Sequence, residues 1–140
     1  YGPFDSEDKF VTFVLDAFRN GVEAIALTEG RARRDFIHVN DVARAICYLV
    51  DGAVGGRIKG HREFEVGTGQ ATSVREFVEL AKDIAKARTQ LDFGARASPA
   101  VELEESFANL ALWDDVGWQP AISLSEGIAQ TLRAEEAVAR

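Results

Sequence analysis

Arg34-Asp35-Phe36-Ile37-His38-Val39-Asn40-Asp41-Val42-Ala43-Arg44-Ala45 is a stretch in which the apolar pattern changes period. Asp35–Val39 carries an aromatic and two β-branched residues in a short run, which reads as a strand. From Asn40 onward Val42, Ala45, Ile46, Leu49 and Val50 recur at spacings of one helical turn, so a helix with these side chains turned inward is expected. Asn40 stands where its side chain can accept from the first free N–H groups of that helix. A strand passing directly into a helix is the repeating step of an α/β architecture.

The flanking sequence repeats this alternation. Upstream, Ser6 to Asn20 reads as a helix whose stripe is Phe10, Phe13, Val14, Ala17 and Phe18, stopped by Gly21. Ala24–Leu27 reads as a strand, followed by a turn at Glu29–Gly30. Downstream, Gly52, Gly55, Gly56 and Gly60 make a loop, and Phe64–Val66 reads as a short strand ending at Gly67. Ser73 with Glu76 is a capping box that opens a helix to about Lys86. Leu91–Phe93 reads as a strand, and a loop through Pro99 leads to a short helix near Asn109 to Asp115, with Asn109 as its cap. Gly117, Trp118 and Pro120 break it, and Ser123 with Glu126 starts the final helix. The fold class is therefore α/β, with a small sheet and about five helices.

The composition, 46% hydrophobic and 28% charged, is that of a globular domain. A net charge of -7, from 23 acids against 16 bases, excludes a nucleic-acid partner, whose phosphates need a basic face. It also opposes binding to an anionic membrane surface. The longest apolar run, Ala45 to Val50, is far too short to cross a bilayer, so no membrane partner is expected. Cys47 is the single cysteine, which excludes an intrachain disulfide and suggests a reducing, cytoplasmic setting. It is expected to be a small buried hydrophobe of the Asn40 helix. His38 reads as a structural histidine and His61 as a solvent-exposed one. No spacing of His, Cys, Asp or Glu suggests a metal site. Tyr1-Gly2-Pro3 is turn chemistry, and the sequence is expected to start within a larger fold.

Four blocks, in order, resemble the extended short-chain dehydrogenase/reductases of the NAD-dependent epimerase/dehydratase family, which act on nucleotide-sugars. Tyr1-Gly2-Pro3 resembles the end of the family's Asn-Val-Tyr-Gly-Pro segment, and Arg34 to Ala45 its Arg-Asp-Phe-Ile-x-Val-x-Asp-Val-Ala block. Phe64-Glu65-Val66-Gly67-Thr68-Gly69 is similar to Tyr-Asn-x-Gly-x-Gly, and Val116-Gly117-Trp118-Gln119-Pro120 to Leu-Gly-Trp-x-Pro. The resemblance implies that residues 1–140 form a single substrate-binding lobe, the carboxyl-terminal lobe of an extended Rossmann-type enzyme. The amino-terminal Rossmann half would be the partner that carries the chemistry.

That chemistry needs a glycine-rich dinucleotide loop and a tyrosine with a lysine four residues later. Tyr1 has Asp5 at that position and Tyr48 has Gly52, while Gly67-Thr68-Gly69 lacks its third glycine at Thr72. No catalytic residue is assigned to this chain, and NAD or NADP is expected in the complete enzyme but not on this chain alone. The implied substrate is a nucleotide-sugar, with Arg34, Thr28 and Arg96 as the candidate binding residues. A guanidinium can grip phosphate oxygens through two parallel bonds. The alternative for Arg34 is a surface ion pair with Asp35, Asp41 or a glutamate. Pro99 or Ala100 stands where the family has a second phosphate arginine, for which Arg96 is the possible substitute, and Leu112 replaces a family lysine. A rival reading is a non-catalytic binding module, or a truncated relic without independent activity.

Overall fold

The computed structural model describes residues 1–101 and 103–138. Helix α1 spans Phe10–Arg19, later than the expected start because Ser6–Lys9 is taken up by a turn closed from Lys9 N to Ser6 O (3.0 Å). It ends at Asn20, and Gly21 continues with φ +63°, a conformation in which a side chain would be strained. Strand β1 (Ala24–Leu27) follows at the expected residues.

Strand β2 is only Arg33–Arg34, and helix α2 is Val39–Val54. The expected strand over Asp35–Val39 is absent. Asp35 turns its carboxylate to a distant loop, which ends the ladder, and Val39 already opens the helix. The cap of α2 is His38 rather than Asn40, its imidazole accepting from Asn40 N. Of the five side chains expected inward, Ala45 is buried and Val42 and Leu49 are partly so, but Ile46 and Val50 are 56% and 55% exposed. Cys47 is exposed as well, contrary to the expectation of a buried thiol.

No strand forms at Phe64–Val66 either. The Glu65 carbonyl there accepts from Trp113 Nε1 (2.6 Å), and its carboxylate accepts from Asn109 N (2.8 Å), so this segment bonds to the 109–113 turn instead of to a ladder. Strand β3 (Thr72–Ser73) runs straight into helix α3 (Val74–Ala85), opened by the expected capping box of Ser73 and Glu76. Strand β4 is Gln90–Phe93 and β5 is Glu105–Ser106. A 3-10 turn, Ala111–Trp113, stands where a short helix was expected, with Asn109 Oδ1 accepting from Ala111 N (3.0 Å). Helix α4 spans Leu124–Val138.

The strands make two small sheets rather than one. β1 and β4 pair in parallel with Ala24 opposite Gln90, while β2 lies between antiparallel β3 and parallel β5. The larger core joins α1, β1, α3 and α4 through Val14, Leu15, Phe18, Ile25, Phe77 and Ile128. The Gly-Trp-x-Pro block builds a second core, where Trp113 and Trp118 meet at 4.3 Å between ring centroids beneath Ala45 of α2.

Candidate functional site

Beyond the carboxyl ends of the parallel pair β1 and β4 lies a cleft of about 930 Å³. Open α/β sheets place ligands at this end of their strands. Its walls come from Lys9, Phe10, Val11 and Phe13 at the start of α1, and from Ala26, Leu27 and Thr28 at the end of β1. Arg34–Ile37, the acidic segment before α1 and the turn after β4 contribute further wall. Phe10 and Phe13, expected in the core stripe of α1, line this cleft instead.

The three candidate binding residues reach the cleft from three separate segments. Thr28 is the first residue past β1. Arg96 is held beside it because the Leu27 carbonyl accepts from both Gly94 N and Arg96 N, each at 3.0 Å, in a turn that Gly94 enters at φ +84°. Arg34 closes β2, and its Nη1 donates to the carbonyls of Leu103 (2.7 Å) and Arg33 (2.8 Å). The anticipated acids have other partners. Asp41, fully buried, accepts from Arg44, Ala121 N and Ile122 N. Arg31, exposed, pairs with Glu29 at 2.7 Å, and Arg33 pairs with Glu105 at 2.9 Å.

Asp35, expected only as a possible ion-pair partner of Arg34, has a different role. Its carboxylate accepts from Thr68 N (2.8 and 2.9 Å), Thr68 Oγ1 (2.6 Å), Gly69 N (2.9 Å) and Ala108 N (3.1 Å). The Gly67-Thr68-Gly69 turn is thus an anion nest already filled by the protein's own carboxylate. Gly67 is required there, since a Cβ would stand 2.3 Å from Asp35 Oδ2. Arg34 and Asp35 also border a second concavity of about 370 Å³ against Ser106–Ala108, so the end of β2 is the partition between the two.

The charges around the cleft are mixed. Asp5, Glu7 and Asp8 line one side, and Lys9, Arg34 and Arg96 the others. The Ser6 hydroxyl, bonded to Asp8, holds that carboxyl below the usual carboxylate range. His38 is 1% exposed, set edge-on to Tyr1 at 5.4 Å, and burial pushes its imidazole below the ordinary histidine value. His61 is exposed, as expected. Among the described residues no group of three His, Cys, Asp or Glu is placed to hold a metal ion. None of the described helices is long and apolar enough to cross a membrane.

The model of the NAD dependent epimerase/dehydratase family matches residues 1–67. A CDP-abequose synthase of Salmonella muenchen is 30% identical over 136 residues, which cover 97% of this chain and 45% of that protein. A GDP-L-fucose synthase of Arabidopsis thaliana is 30% identical over 94% of this chain and 41% of its own length. The solved UDP-glucose 4-epimerase of Thermotoga maritima with UDP-glucose superposes on all of this chain and 44% of its own, with a TM-score of 0.83 and 25% identity. In sequence and in fold this chain is similar to the NAD-dependent epimerase/dehydratase family. It spans less than half the length of these relatives. The family match takes in α1, β1, β2 and α2, and with them Thr28 and Arg34. Arg96 lies beyond it, in the part that the full-length superposition covers.

Proposed function

We propose that this chain is the nucleotide-sugar-binding lobe of an NAD(P)-dependent nucleotide-sugar epimerase/dehydratase, completed by an amino-terminal Rossmann half. The observation that carries the reading is the convergence of Arg34, Thr28 and Arg96 on one cleft beyond the β1 and β4 strand ends. Two guanidinium groups and a hydroxyl suit a diphosphate, and the Nε–Nη2 edge of Arg34 is the pair that would fork it. Phe10, Phe13 and Phe36 supply apolar wall for the rest of the ligand. The relatives' names carry CDP-, GDP- and UDP-linked sugars, which share the diphosphate that the two arginines would hold.

The dinucleotide belongs on the other half. The donors of the one Gly-x-Gly turn here are taken by Asp35, so these residues do not fit a second pyrophosphate. NAD or NADP, when bound there, would supply the hydride chemistry. The residues of this chain would hold and orient the sugar nucleotide. A cytoplasmic setting fits the single reduced Cys47.

Titration calorimetry of nucleotide-sugars with the full-length protein tests this reading. Arg34→Ala should weaken binding about ten- to a hundred-fold, the worth of a charge-assisted paired contact. Its cost in stability should be only ~1 kcal/mol, because what it gives up inside the fold is its Nη1 bonds to two carbonyls. Arg34→Lys should restore little, since lysine keeps the charge without the fork. Arg31→Ala is the control for net charge. Equal loss in Arg34→Ala and Arg31→Ala would mean a diffuse field and no site.

A further inference from the structure

We propose that Asp35 is the positioning residue of the Arg34 site, acting through the strand segments on either side of β2. The inference rests on the nucleotide-sugar reading above and names the part of the fold that makes Arg34 usable. An ionised carboxylate offers about four lone-pair directions, and four donors from two segments converge on this one. Its acceptor capacity is therefore full. Its charge is already answered by these donors where a phosphate would approach Arg34.

The geometry links the two residues through the neighbouring segment. Asp35 Oδ2 accepts from Ala108 N, two residues past β5. β5 pairs with β2 in register, Glu105 beside Arg33 and Ser106 beside Arg34. Leu103, two residues before β5, gives the carbonyl that receives Arg34 Nη1. On the other side Asp35 closes the turn at Thr68 and Gly69, which leads into β3, the antiparallel neighbour of β2. The strands flanking β2 are only two residues long, too short to hold register by ladder bonds alone. Asp35 supplies an anchor to both, beside the Arg33 side chain, which bonds Glu105 of β5 and the Ala71 carbonyl before β3. When the anchor is released, the Leu103 carbonyl moves and the Arg34 fork loses its orientation toward the cleft.

The test is a double-mutant cycle in the full-length protein, read by calorimetry with UDP-glucose, CDP-glucose and GDP-mannose as probes. Asp35→Asn keeps the size but turns an amide N–H toward backbone donors. It should weaken the tightest of the three probes roughly tenfold, as expected for residues in one bonded network. On the Arg34→Ala background the same change should add nothing to the loss. A merely structural role would lower the thermal midpoint and leave affinity unchanged at temperatures well below it, which overturns the proposal. So would independent, additive losses in the cycle. If Arg34→Ala weakens binding and Asp35→Asn does not, the proposal fails and the nucleotide-sugar reading stands. If no probe binds the parent protein, both fail. Should Asp35→Asn not fold, Thr68→Val, which removes one hydroxyl donor and keeps the backbone donors, takes its place in the same cycle.

Discussion

At His38 an imidazole sits almost wholly out of water, with Nδ1 accepting from Asn40 N at the start of α2. Both features require the neutral ring, because a protonated Nδ1 cannot accept and a buried charge is costly. The folded pKa is lowered, chiefly by burial, while the unfolded chain keeps an ordinary value near 6.5. Stability from this residue is therefore complete above that value. It falls as pH drops below it, because the unfolded state then binds a proton that the native state resists. The unfolding free energy from urea titrations should decline from pH 7.5 to 5.5, with a limiting slope of about 1.4 kcal/mol per pH unit for the one proton. His38→Asn, which retains a capping oxygen and cannot titrate, should flatten this limb, whereas the exposed His61→Asn should leave it unchanged. An unaltered slope in His38→Asn would assign the acid sensitivity elsewhere.

Among the elements, α3 has a start fixed by a local pair. Ser73 Oγ accepts from Glu76 N (3.1 Å) and Glu76 Oε2 accepts from Ser73 N (2.8 Å). Ser73→Ala should cost about 0.5–2 kcal/mol in denaturant unfolding, the usual worth of such a cap. The Ser73 N–H and then its hydroxyl hold the Glu76 carboxyl below the usual range. The contribution of Glu76 is thus present at neutral pH and lost as pH falls through its depressed folded value, so Glu76→Ala should unfold with a flatter acid limb than the parent. This element was legible because both partners lie within one helical turn. Strand β1 was legible for a related reason, being a short apolar run between turn residues. α2 was misjudged because Ala45 to Val50 is an unbroken apolar run. At about 100° per residue such a run passes right round a helix, so its members cannot all face one core. The strand at Asp35–Val39 was lost to partners far along the chain. Nothing near Asp35 announces Thr68 or Ala108, and nothing near His38 shows that its ring, rather than Asn40, caps the helix. Of the site, Arg34, Thr28 and Arg96 were named through the family resemblance, while Phe10 and Phe13 were assigned to the core because their spacing matches the buried stripe of α1.

In the molecule as a whole, the two cores leave one side of α2 without cover. Val39, Ile46, Val50 and Val54 lie on that exposed side, two turns and then one turn apart, and Cys47 sits beside Ile46. A row of this kind is where a soluble chain meets another surface. Under the proposed function the natural occupant is the Rossmann half. Cys47 turns that surface into a reporter. As the single thiol of the chain, it can carry one maleimide fluorophore at a known position without mutagenesis. The 140-residue chain alone should label rapidly at Cys47, and addition of the Rossmann half should slow labelling and shift the emission of a pre-attached environment-sensitive dye toward the blue. Labelling at the same rate with and without that half would place the contact on another face. The same exposed sulfur makes the lone chain vulnerable in air, since two copies meeting through their apolar helix faces would bring their thiols together and oxidise to a covalent pair.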